Sequence, residues 1–124
     1  MRFRGYAAVF DAVDRGGDVI RAGAFADAGP VPLLWQHRGV PVGAIETVRE
    51  DARGLAVAGR IDDAALAKLV RARGLDGLSV GYRVRSCRQG VRRELTALEL
   101  VEVSLVARPM QPAARIDEFN QGDD

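Results

Sequence analysis

The hydrophobic and polar positions of this chain mostly follow the short periods of strands. Residues 2–10, "RFRGYAAVF", open on an apolar and polar alternation that predicts a strand. "DAVDRGGDVI" follows, and its Asp and Gly cluster is turn chemistry. "RAGAFADAG" reads as a short helix or an irregular connection, which Pro30 and Pro32 keep from continuing. "LLWQH" is a short apolar strand ending in a histidine. "PVGAIETVRE" and "GLAVAGRI" then flank "DARG" as a hairpin.

The helical period is convincing in one place, residues 62–73, "DDAALAKLVRAR". Asp62 or Asp63 caps its start, and Leu66, Leu69 and Val70 share a face. Arg71 and Arg73 suit its C-terminal end before Gly74 stops it. A helix packed on a sheet is favoured over a partner-binding surface. "LSVGYRVRS" and "VRRELTALELVEVSLVA" read as further strands around a turn near "CRQG", and Pro109 and Pro112 end the last one. About six to seven short strands and one helix predict a mainly β fold, a compact and mostly antiparallel barrel with flanking helix. Residues 1–110 form its single domain, and residues 111–124 read as a polar, mobile tail.

Composition narrows the function classes. A chain of 124 residues can bury a real core, and 48% hydrophobic with 28% charged residues is ordinary for a soluble domain. No apolar run approaches the ~18 residues of a membrane helix, and the N-terminus does not read as a signal peptide. A net charge of +1 and scattered arginines do not call for nucleic acid. One cysteine and one histidine exclude an internal disulfide and argue against a soft-ligand metal site. Asp11, Asp14 and Asp18 lack the closing glutamate of a calcium loop, so they too read as a turn. Cys87 reads as inert, and Trp35 and Tyr82 as core or pocket-wall aromatics.

Three residues could still do chemistry. Ser79 sits in G-x-S-x-G, but the alternating "VGYRVRS" after it rules out the strand-to-helix nucleophile elbow, as does a histidine that precedes the serine. In another frame Ser79 is a nucleophile if a base removes its proton, and His37 is the histidine available. The competing reading makes His37 a surface or capping residue. Glu102 lies in "LVEVSLV", a run that reads as buried on both faces, where a carboxylate needs a partner. Alternation places it with Leu100 and Ser104, while Glu99 points the other way as a solvent-facing residue. Glu102 is thus the first candidate to orient the imidazole, with Asp76 as the fallback. Ser104 is a candidate to hydrogen-bond near the site.

The ordered fragments "GYAAVFD…D-x-x-GDVI-x-x-GAF", "LLWQH…PVGAI", "GLSVGYRV" and "L-x-EVSLVARPMQP" span about Arg4 to Ala114. Together they resemble the prohead maturation proteases of tailed bacteriophages, including those of phage-like gene transfer agents. That family is similar in fold and catalytic order to the herpesvirus assembly proteases, the assemblins. The resemblance implies a β-barrel serine endopeptidase, without cofactor or metal, that trims capsid or scaffold proteins inside an assembling shell in the host cytoplasm. It puts the family's histidine on His37, its nucleophile on Ser79 and its third member on Glu102. By analogy, Arg108, or backbone N–H groups near Gly81 or Arg108, would supply the oxyanion donors. A homodimer joined through a helix would match the herpesvirus relatives, and a short chain would match a pared-down member. Two other readings use the same residues differently: a catalytically idle module that binds capsid subunits, and an unrelated esterase-like hydrolase.

Overall fold

The computed structural model describes residues 1–120. Along the chain run β1 (Arg2–Val9), β2 (Asp18–Ile20), β3 (Val31–Trp35), β4 (Arg38–Glu50) and β5 (Gly54–Ile61). They are followed by α1 (Ala64–Arg71), β6 (Gly77–Gln89), β7 (Arg93–Val106) and β8 (Ile116–Phe119). The strands form a single sheet, mainly β as expected. β7 is its hub. β6 lies antiparallel along one edge of β7, while β2 and then β3 lie parallel along the other. From β3 the sheet continues antiparallel through β4, β5 and β1 to β8.

No strand ladder joins β6 to β1. Residues 114–116 span that gap instead: Leu78 N–H donates to the Ala114 carbonyl at 3.0 Å, Tyr6 N–H to Arg115 at 3.1 Å, and Ile116 N–H to Asp76 at 2.8 Å. Gly5 allows the approach, since a Cβ there would lie 2.2 Å from the Arg115 carbonyl oxygen. The expected mobile tail is therefore corrected. Gln111 is buried and clamps the β1 backbone, accepting from Val9 N–H at 2.8 Å and donating to the Val9 carbonyl at 2.7 Å. Ile116 joins the core and β8 pairs with β1. Positions 121–124 of that tail lie outside the described residues.

α1 starts at its Asp63 cap, whose carboxylate accepts from Leu66 N–H at 3.0 Å, and it buries Ala67 and Val70. Residues 21–28 form successive turns, pinned by Glu50 carboxylate oxygens that accept Gly23 and Phe25 N–H at 2.7 Å each. The arginines prove less scattered than their spacing suggests. Arg83, Arg85, Arg88, Arg92 and Arg93 all lie on the β6–β7 hairpin. Glu99 faces solvent beside Arg83 and Arg85, while Glu94 and Asp18 meet Arg88 and Arg93.

Candidate active site

The site forms on one face of β6 and β7, with the core on the other. Val103 and Leu105 are fully buried on the core side beside Leu33 and Leu78. Ser79 and Ser104 are cross-strand partners, as are Gly81 and Glu102. Directly opposed residues share a face, so these four project together. The run from Glu102 to Val106 is buried on both faces, as its sequence predicts.

The simple alternation fails one residue earlier. Gly81 opposes Glu102 whereas Tyr82 opposes Leu100, so Val101 is an extra, bulged residue. Leu98 and Leu100 pack with the core, and so do Val103 and Leu105. The bulge thus changes which parity of β7 faces inward, and Glu102 does not share a face with Leu100.

Gln36 and His37 form the two-residue loop between β3 and β4, closed by the Trp35 and Arg38 pair. Their φ values are 54° and 62°, the left-handed conformation a type I′ loop requires. Side chains rarely accept it without compensation, because it costs about 1–2 kcal/mol per residue. Tethers to β7 hold the loop. Gln36 N–H donates to the Leu105 carbonyl at 3.0 Å, and Gln36 Oε1 accepts from Ala107 N–H at 3.0 Å.

His37 N–H donates to Ser104 Oγ at 2.9 Å, and Ser104 Oγ donates in turn to Glu102 Oε2 at 2.8 Å. The other oxygen of that carboxylate, Oε1, meets His37 Nδ1. The circuit closes on itself. An ionised carboxylate can only accept, which makes Nδ1 the protonated nitrogen of the neutral ring and leaves the lone pair on Nε2. The carboxylate side chain is 10% exposed and the imidazole 39% exposed, so the acid is sheltered while the ring keeps access to solvent.

Ser79, 5% exposed, lines a cavity of about 30 Å³ with Tyr82, Met110 and Gln111, room for a single water. Burial, chiefly, holds the Tyr82 phenol above its usual range. Beyond β7, Met110 reaches the cavity that Ser79 lines, and Pro109 lies against Gly77, where a Cβ would come within 3.0 Å of its Cδ. Arg15 Nε donates to the Pro109 carbonyl at 2.9 Å.

The remaining candidates separate from this cluster. Asp76 is half exposed and paired with Arg115 at 2.6 Å, so the carboxylate at His37 is Glu102. Arg108 is exposed in the turn after β7. Cys87 is exposed on the hairpin. Asp14 is spent on its own turn, with Oδ1 accepting from Gly16 N–H at 2.8 Å and Asp18 N–H at 2.9 Å. Among the described residues no cluster of His, Cys, Asp and Glu could hold a metal ion, and no helix is long and apolar enough to cross a membrane. The role of Ser104 as a bridge is more specific than its sequence suggests. Its place two residues from Glu102 on an alternating strand is the signal that could have found it.

Comparisons with known proteins bear on this arrangement. The chain is 36% identical over 94 residues to the prohead protease of Enterobacteria phage HK97, an alignment covering 66% of this chain and 42% of that protein. It thus spans less than half the length of that relative. The fold is similar to KSHV protease in complex with a hexapeptide phosphonate inhibitor, with a TM-score of 0.65 and 14% identity over 93% of this chain and 63% of that one. A second KSHV protease structure gives a TM-score of 0.50 at 18% identity, covering 85% and 54%. The likeness to herpesvirus proteases expected from the sequence is therefore present in the fold. The family described as Caudovirus prohead serine protease matches residues 1–123. With nearly every residue inside that match, the chain belongs to the Caudovirus prohead serine protease family.

Proposed function

We propose that this chain is a serine endopeptidase that processes capsid or scaffold proteins inside the assembling prohead, within the cytoplasm of the bacterial host. The observation that carries the reading is the contact between His37 Nδ1 and a sheltered Glu102 carboxylate, on the face that also bears Ser79.

In this mechanism Nε2 of His37 takes the Ser79 proton as Oγ attacks the substrate carbonyl carbon. Glu102 keeps the proton on Nδ1 and stabilises the imidazolium that forms. The imidazolium then protonates the leaving amine, leaving an acyl group on Ser79 Oγ. Water, deprotonated by Nε2, hydrolyses that ester and restores the hydroxyl. Each proton moves between side chains of this chain and substrate or water. Arg108 is the first oxyanion candidate, because it precedes Pro109, which packs on Gly77 two residues from Ser79, and because Pro109 has no N–H while the Ala107 N–H is taken by Gln36. The Gly81 N–H is the weaker candidate, since Gly81 lies opposite Glu102.

The test is made in context. Co-expression with the neighbouring capsid subunit, with and without Ser79→Ala, is followed by the intact mass of the capsid protein. A defined N-terminal loss that vanishes with the alanine is expected. The same mass in both cases would favour the idle assembly module.

A further inference from the structure

The second glycine of G-x-S-x-G has no conformational reason to be glycine. Gly81 lies inside β6 without the positive φ of Gly17, Gly23 or Gly39, and glycine weakens a strand interior. Space supplies the reason. A Cβ at Gly81 would lie 2.2 Å from Glu102 Oε1, 2.8 Å from its Cδ and 2.9 Å from its Cγ, and these are its three nearest atoms. At Gly5, Gly43, Gly54 and Gly59 the nearest atom is instead a backbone oxygen.

The Glu102 side chain thus lies across the bare backbone of Gly81 on its way to the imidazole. Moving the terminal oxygen alone would not admit a methyl group, because Cγ and Cδ are also too close. Oε2 is already held by Ser104 and Oε1 by His37, so the side chain cannot shift and keep both contacts.

We propose that Gly81 is a positioning residue: the missing side chain opposite Glu102 is what lets that carboxylate reach His37 Nδ1. The proposal rests on the triad reading above and adds a required residue that acts through Glu102, by the side chain it lacks. It also gives the motif a meaning unrelated to a nucleophile elbow. Gly77 admits the Val106 carbonyl and Pro109 on one side of Ser79, and Gly81 admits the acid on the other.

The test compares Gly81→Ala, Glu102→Gln and the two combined, by the rate of capsid-protein cleavage on co-expression. Gly81→Ala is expected to slow cleavage at least tenfold, and the double variant to be no slower than Glu102→Gln alone, because both act on one contact. Proton NMR of the purified protein gives a readout independent of activity. The far-downfield resonance of a carboxylate-bonded Nδ1–H is expected in the parent protein and absent from Gly81→Ala.

A third comparison covers misfolding. Gly81→Ala should lower the melting temperature when Glu102 is present and leave it unchanged in a Glu102→Ala background. Equal lowering in both backgrounds, a retained Nδ1–H resonance, or multiplying rate losses would each overturn the proposal. If Glu102→Gln cleaves at the full rate, the triad reading falls and this proposal with it. If Glu102→Gln is slow and Gly81→Ala is fast, the proposal alone falls.

Discussion

Ser104 donates its hydroxyl to Glu102 Oε2 at 2.8 Å and accepts the backbone N–H of His37 at 2.9 Å. One fully buried hydroxyl thus fixes both the Glu102 carboxylate and the loop that carries His37. Ser104→Ala would leave the His37 N–H without its acceptor and the carboxylate with one contact fewer. A stability loss of about 1–3 kcal/mol in urea unfolding is expected. Cleavage should also slow, by about tenfold if ~1.4 kcal/mol of the positioning is lost in the transition state.

Glu102→Gln keeps the shape and removes the charge. The amide can still meet His37 Nδ1, but it can present its NH₂ there and hold the wrong tautomer. Cleavage of the capsid protein should fall by roughly 10²–10⁴, with an unchanged circular dichroism spectrum. A variant that cuts at the parental rate would remove Glu102 from the mechanism.

A chain stopped after Met110 should be markedly unstable. It would lose the Gln111 clamp on Val9, the bridge at residues 114–116 and the burial of Ile116. The Ile116 side chain alone is worth about 1.5–3 kcal/mol, and the buried hydrogen bonds add to it. The urea midpoint of the shortened chain checks this. An unchanged midpoint would restore the view of residues 111–124 as a tail.

The Asp18–Arg93 pair joins the first residues of β2 and β7. Its hydrogen bond with Arg93, chiefly, holds the Asp18 carboxyl below its ordinary range. A carboxyl depressed on folding adds stability above its unfolded pKa of about 3.9, and that contribution fades as pH falls toward the folded value. Asp18→Asn should therefore melt about 2 °C lower at pH 7, a small effect because the pair is partly exposed. The gap between the two proteins should close below about pH 4. Melting curves at both pH values measure it.

The sequence is legible where local pattern decides the structure. The helix, the β4–β5 hairpin and the run from Glu102 to Val106 follow from period, caps and burial. Glu102 stands out because a carboxylate inside an apolar run needs a partner, and Glu99 is dismissed because its neighbours permit solvent. Long-range pairing hides the rest. β2 is three residues inside a turn cluster, and it is a strand only because β7 lies beside it. β8 is four residues, half of them charged, and pairs with a strand more than a hundred residues away. The Gln36–His37 loop carries none of the Asn-Gly chemistry that announces a type I′ loop, since its conformation is held by tethers to β7. The bulge at Val101 leaves no mark in the local pattern either.

The position of β7 sets the order of events during synthesis. His37 and Ser79 sit on opposite sides of a strand, Arg93–Val106, that is made after both of them. Domains form as units while their chains emerge from the N-terminus, so a growing chain carries His37 and Ser79 before the strand that lies between them is made. On the proposed mechanism the chain could not cut before β7 is made and paired, because Glu102 and Ser104, which hold His37, both lie on it.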